Sequence, residues 1–475
     1  MLSSATQRPS PILPRLITWI GPALLAAAGS AQEPAPGAPG LGDPYYPLAG
    51  NGGYDVLHYD IVLAVDVDSG RIEGNATLTA EAQQSLSSFH LDFHGLELGA
   101  VLVGGVPAET RRDGGELVVR PAEPIPQGST FTTSLAYSGV PEAVPDPAVT
   151  SLGLPGVGWW RTPSAFHVLS ECIGARSWFP CNDHPRDKAT YSIAVTVPEP
   201  WVAAANGLLV EVVEGAEGRT YRWRAGDPMA TYLATVNVGR FELREETGPD
   251  NLPLRTYHPA DASEEELAPF ARQSEILVFL AERFGPYPFE SFGAVLSPDP
   301  MPGALETQTL PVYGRGATEE VIVHEAAHQW FGNSVSPHSW SDLWLNEGFA
   351  TYAEWLWMER EEGPEVFGRF VAGTHRALRR MRMGPPVDPG VENLFTPPVY
   401  VRGAMALHVL RVAAGDEAFF GILREWAESR AGGTGSTADF LALCRKSAGE
   451  EAAALLEEAL AAPVVPALPE AGESR

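Results

Sequence analysis

Two histidines one helical turn apart, with a glutamate between them, are the residues in this 475-residue chain best placed to do chemistry. They lie in Val321-Ile322-Val323-His324-Glu325-Ala326-Ala327-His328-Gln329-Trp330-Phe331, where apolar residues recur at helical spacing and no Gly or Pro intervenes before Gly332. On a helix His324 and His328 share a face, so both imidazoles reach one metal ion, and Glu325 stands beside them to take a proton from water. Glu347, in Asn346-Glu347-Gly348-Phe349-Ala350, becomes a third ligand if that stretch forms an antiparallel helix. Two His and one Glu leave one position of a tetrahedral zinc ion open, the ligand set of a catalytic site and not of a structural one. A buried helix with two hydrogen-bonded histidines competes for the short motif alone, and the Asn-Glu-Gly-Phe-Ala partner weighs against it. Glu354, two turns after Glu347, falls on the same face and is expected to accept a hydrogen bond from a ligating histidine; the alternative is a solvated glutamate.

The elements that must position these residues fall into a β-rich first half and a helical second half. With 44% hydrophobic and 19% charged residues the chain is globular and long enough for two or three cores. A net charge of −28 disfavours nucleic acid and anionic membrane surfaces as partners, because their phosphates would be repelled. Arg8 and Arg15, the apolar run over 16–28 and the small residues Gly29-Ser30-Ala31 read as an export signal over 1–31, with an uncleaved membrane tether as the alternative. The run is too short for a stable membrane span. Residues 32–47, rich in Pro, Gly and Ala, read as a flexible lead-in. From Tyr54 an alternation sets Val56, His58, Asp60 and Val62 against Leu57, Tyr59, Ile61 and Leu63, and further strands are predicted at 76–80, 89–93, 116–119, 130–136, 191–197, 221–224 and 232–238. The aromatic and charged stretch 170–183 lacks periodicity and suits a functional loop. A helix is predicted from Ser263, with Glu264-Glu265-Glu266 in its first turn, to about Phe284. After Glu347 the pattern is helical to Leu460, and 463–475 reads as a loose tail. Of three cysteines, Cys172 and Cys181 are the near pair, either bridged or free.

Several motifs, in order, carry a resemblance. They are Tyr54-x-x-x-His58-Tyr59, Ala175-Arg176-x-x-Phe179-Pro180-Cys181-x-Asp183, Phe284-Gly285-x-Tyr287-Pro288-Phe289, the two motifs above, and Tyr400-x-Arg402-Gly403-Ala404. Over residues 54–468 the chain resembles the aminopeptidase N family of gluzincin zinc metallopeptidases. The resemblance implies an all-β, saddle-like sandwich domain at 48–245, then a thermolysin-like α/β, mostly helical catalytic domain at 246–462, with the active cleft between them. It implies one Zn2+ per chain on His324, His328 and Glu347, Glu325 as general base, and Tyr400 as the group that stabilises the oxyanion. Glu306 and Glu171 would bind the free amino group of a peptide, with Gly303 and Ala304 beside Glu306.

Two departures stand out. Leu305-Glu306-Thr307 replaces the family's Met-Glu-Asn, which bears on subsite shape. The large C-terminal helical domain of typical members has no counterpart in this sequence, so a short member with a more open cleft, or one closed by a partner, is expected. An open-cleft endopeptidase and a non-catalytic peptide-binding protein are the rival functions, and the oligomeric state is left open.

Overall fold

Alternating burial builds the first half, and strand Tyr54–Val65 shows how. It lies inside an eight-stranded sheet, between Ile72–Ala82 (antiparallel) and Lys188–Val197 (parallel). Tyr59, Ile61, Leu63 and Val65 face the core, where Tyr59 stacks on Tyr191 at 5.0 Å and meets Phe179 edge-on. The parity read from the sequence slips once. Val56 is buried and Leu57 exposed, because the pairing with Ile72–Ala82 shifts between Val56 and His58, and the extra residue of a bulge turns the next side chain over. Two four-stranded sheets complete this β domain. One carries Gly158–Arg161, Ala165–Leu169, Val236–Gly239 and Val202–Ala205.

The computed structural model describes Met1 and residues 33–468, so the export signal expected at 1–31 lies, but for Met1, outside the described residues. Among these no helix is long and apolar enough to cross a membrane. Several expectations need correction. The described part of the lead-in is packed: Ala35–Pro36 pairs with Leu86–Asp92, and buried Asp43 accepts hydrogen bonds from the Trp340 backbone and the Ser339 hydroxyl. The stretch 170–183 is irregular, as expected, but packed into the core: Trp178, Phe179, Cys172 and Cys181 are fully buried, and Arg176 pairs with Asp92 and Asp183. Its polar residues misled the sequence reading because they satisfy one another inside. All three cysteines are free and buried. Residues 232–238 are a 3₁₀ turn (Thr231–Leu233) before strand Val236–Gly239. The tail is docked as far as Leu468: Val465 is buried, and His375 Nε2 donates to the Pro466 carbonyl at 2.7 Å.

The β composition also runs past the expected boundary at residue 245. Phe241–Thr247 pairs with Pro253–Pro259, not with the first domain, and so starts the second half. That half holds a five-stranded sheet whose last strand, Ala304–Leu305, lies antiparallel to Val312–Tyr313, with helices packed against it. The helix expected over 263–284 is broken: Pro269 forces a 3₁₀ turn before Gln273–Phe284, which ends at Gly285 with φ 97°. Longer helices follow at Glu319–His328, Trp344–Glu362, Pro364–Met381, Gly403–Ala414, Asp416–Ser429 and Thr437–Ala461, the last of them broken by a kink at Gly449, φ 87°.

Candidate active site

The histidine helix, Glu319–His328, opens with Glu319 and Glu320, whose charges suit its N-terminal dipole. It stops soon after His328, and the turn at Gly332 has φ 127°. A Cβ there would lie 3.1 Å from Asn346 Nδ2 and 3.3 Å from His328 Nδ1, so glycine is needed for both conformation and space. That turn sets the histidine helix against the glutamate helix, Trp344–Glu362. Glu347 Oε2 lies 3.1 Å from His324 Nε2 and 3.5 Å from His328 Nε2. His328 Nδ1 donates to the Phe331 carbonyl at 3.0 Å, and His324 Nδ1 donates to Glu354 Oε1 at 2.6 Å. With both Nδ1 protons engaged, Nε2 is the nitrogen that each imidazole turns toward the Glu347 carboxylate, sharing a proton with it wherever no metal ion takes that place. This donor set fits a divalent metal: two imidazoles that turn Nε2 toward one point and one carboxylate, their ligand atoms all within 4.8 Å of one another. Burial opposes ionisation of Glu347, but the His328 and His324 imidazoles hold its pKa down to about 2.

Tyr400 reaches the same point from a third element. It sits on a π-helical turn, Pro398–Arg402, with its ring 6.0 Å from that of His324 and nearly parallel to it. Two features hold this turn in place. Gly348 and Gly403 meet backbone to backbone, and a Cβ on Gly348 would come within 3.0 Å of Gly403, so neither tolerates a side chain. Fully buried Arg402 donates to the carbonyls of Met383 (2.8 Å), Ala459 (3.0 Å) and Ala462, closing the end of the last helix. Such charge-assisted bonds contribute roughly 1.5–3 kcal/mol each. Burial raises the Tyr400 pKa far above the ordinary phenol value, helped by Glu347 and Glu171, so the phenol keeps its proton and can donate it in a hydrogen bond.

Two further carboxylates close the site from opposite sides. Glu171 follows strand Ala165–Leu169 of the β domain, and Glu306 follows the edge strand Ala304–Leu305 of the second half. Oxygens of Glu171, Glu306 and Glu347 lie within 4.8 Å of one another, and Oε1 of both Glu171 and Glu306 is buried without a hydrogen-bond partner. Burial raises the pKa of both, and for Glu171 the neighbouring Glu306 adds to it. An ammonium group placed between them would favour the charged form of both. Gly303 and Ala304 line the same cleft of about 500 Å³, as do Glu325 and Glu354. Thr307, in place of the family asparagine, turns its hydroxyl away to donate to the Leu310 carbonyl at 2.6 Å.

Sequence reasoning missed the residues that hold Glu306. Its carbonyl accepts from Asn333 Nδ2 at 2.7 Å and Gln329 Nε2 at 3.3 Å. Lys188 of the β domain donates to the Asn333 and Ser334 carbonyls at 2.8 and 2.9 Å, tying that turn to the other half. Gln329, one turn after Glu325, was the one legible signal of this network.

Comparison with known proteins gives the class. Residues 270–458 match the peptidase family M1 domain, and 160–233 match the peptidase M1 N-terminal domain. An M1 zinc metallopeptidase from Deinococcus radiodurans superposes with a TM-score of 0.85 at 33% identity, over 92% of this chain and 100% of that one. A variant of it bound to a Tyr-Ser-Ala substrate also matches at 0.85 and 33% identity, over 91% and 100%. Aminopeptidase M1 of Arabidopsis thaliana is 28% identical over 306 residues, 59% of this chain and 35% of its own length. Aminopeptidase N of Canis lupus familiaris is 33% identical over 208 residues, 39% of this chain and 21% of its own length. The matched parts thus span about a third or less of these aminopeptidases. The chain belongs to peptidase family M1, as a β-rich domain followed by a mostly helical catalytic domain.

Proposed function

We propose that the chain is a zinc-dependent aminopeptidase that removes the first residue of peptides with a free N-terminus. Zinc held by His324, His328 and Glu347 would supply Lewis acidity to the scissile carbonyl and to water. Glu325 takes the proton of the attacking water and returns it to the leaving amine, and the Tyr400 hydroxyl donates to the developing oxyanion. Glu171 and Glu306 hold the ammonium group and set the first peptide bond in register. The observation that carries this reading is that pair of buried, unpartnered carboxylates beside the His-His-Glu cluster. An endopeptidase has no use for them.

The test compares a free peptide with its N-acetylated form. Acetylation removes the cation, so kcat/KM should fall by about 10²-fold or more, because a buried charge left unpaired costs roughly 3–5 kcal/mol. Glu306→Ala should raise KM and lower kcat together, since the ammonium also positions the bond. Equal cleavage of both forms by the wild type would transfer the assignment to an endopeptidase.

Glu354→Gln removes the charge that receives the His324 Nδ1 proton. It should weaken zinc affinity about 10- to 100-fold, read by competition with a chelator. Unchanged affinity would reduce Glu354 to a bystander. The basic and apolar pattern of residues 8–31 supports export of the protein, to be checked by fractionation and N-terminal sequencing of the mature chain.

A further inference from the structure

The four residues after Glu306 form a turn without the residues that turns usually demand. Thr307-Gln308-Thr309-Leu310 holds no Gly, Pro or Asn, yet the Leu310 N–H donates to the Thr307 carbonyl at 3.0 Å and closes it. Thr309, third in the turn, has φ 65°. That position normally takes Gly or Asn, because a side chain branched at Cβ crowds the backbone when φ is left-handed. Four other described residues besides glycine share such a φ: Asp250, Asn251, Arg382 and Asp388. All four are exposed and none is branched at Cβ, whereas Thr309 is buried.

What holds Thr309 there comes from the other half of the molecule. Its hydroxyl oxygen accepts from the Gly207 N–H at 2.7 Å. Gly207 is the corner between strands Val202–Ala205 and Leu208–Gly215 of the β domain. With φ 78°, and a Cβ that would lie 2.1 Å from the Arg224 carbonyl oxygen, the corner requires glycine. Beside it, Asn206 Nδ2 donates to the Gln308 carbonyl at 2.7 Å. The Thr309 N–H turns the other way, to Gln329 Oε1 at 2.9 Å. Gln329 Nε2 in turn donates to the carbonyls of Glu306 and Glu325, both at 3.3 Å. Thr309 thus links the β domain to the backbone of the amine-binding glutamate and of the base. A strained residue persists only where its surroundings over-determine it. Glycine would take this conformation freely but has nothing to offer the Gly207 N–H.

We infer that Thr309 is a positioning residue for the ammonium site: its hydroxyl ties the turn after Glu306 to the β domain, and so sets Glu306 against Glu171, which that domain carries. The inference rests on the aminopeptidase reading for its hydrolysis assay, and a binding assay separates the two.

Zinc-loaded wild type is compared with Thr309→Gly, Thr309→Val and Thr309→Ser on one peptide, free and N-acetylated. Glycine suits the left-handed backbone and lacks the hydroxyl. Valine keeps the branched shape and lacks it too, while serine retains it. The glycine and valine variants should each lower the free-to-acetylated ratio of kcat/KM by about tenfold, chiefly through KM of the free form, with zinc stoichiometry unchanged. Serine should restore the ratio to within about twofold of the wild type. A merely loosened fold would slow both peptides alike and leave the ratio where it was. Should valine's bulk prevent folding, the glycine variant carries the test.

In parallel, calorimetry measures binding of a free and an N-acetylated dipeptide to zinc-loaded Glu325→Gln protein, with and without Thr309→Gly. The advantage of the free form should shrink by about the same tenfold. That shrinkage, together with no hydrolysis of either peptide by the wild type, would uphold Thr309 and overturn the peptidase reading. A ratio unmoved by glycine, an equal loss on both peptides, or a deficit that serine shares would overturn the inference and leave the peptidase reading standing. Equal binding of both dipeptides by the Glu325→Gln protein would overturn both.

Discussion

Glu325→Gln is expected to keep its zinc and lose turnover by about 10²- to 10⁴-fold, the usual contribution of a positioned general base. The amide has nearly the same shape and fills the same space, so the helix that presents His324 and His328 is not disturbed. What disappears is the proton acceptor. Glu325 is buried beside both histidines in the cleft, and an oxygen of it lies within 4.8 Å of ligand atoms of Glu306 and His328. Metal content and steady-state kinetics on one preparation decide the matter. A variant that loses zinc makes Glu325 a ligand, and one that retains full activity makes it neither ligand nor base.

Glu347→Ala should abolish stoichiometric zinc binding, and activity with it. Alanine leaves two imidazoles on one helix facing an empty position, and a two-ligand site does not hold zinc against dilution. The same change should uncouple stability from metal. At free zinc about 1,000-fold above Kd, the ion stabilises the folded wild type by roughly 4 kcal/mol. A chelator should therefore lower the unfolding temperature of the wild type and leave that of Glu347→Ala unchanged. Stoichiometric zinc in the variant would remove Glu347 from the ligand set.

The histidine and glutamate helices were legible in the sequence because their information is local. A helical period fixes which residues share a face, so His324, His328, Glu325 and the Glu347–Glu354 pair could be placed before any contact was known. Ordered motifs then named the family, and the match of the M1 models over 160–233 and 270–458 agrees with it. Local patterns failed where a polar residue finds its partner far along the chain. Asp43 reaches Trp340, and Arg176 reaches Asp92, so a Pro-rich lead-in and an aperiodic loop are both packed structure. The bulge near Leu57 is a further case, since one inserted residue reverses a two-residue period and leaves no mark in composition.

By itself, then, the sequence determined the ligand-type residues, the period that aligns them and the family. Tertiary structure alone decided what surrounds them. It brought Glu171 and Glu306, from different halves, within 4.8 Å of Glu347, and left both without a partner. It pressed Gly348 against Gly403 so that the Tyr400 turn could approach His324. It also laid residues 144–157 against residues 388–395 to form one wall of the cleft. These are contacts between residues tens to hundreds of positions apart. Burial, close backbone approach and unmet charge depend on what else occupies the space, and no window of sequence carries that.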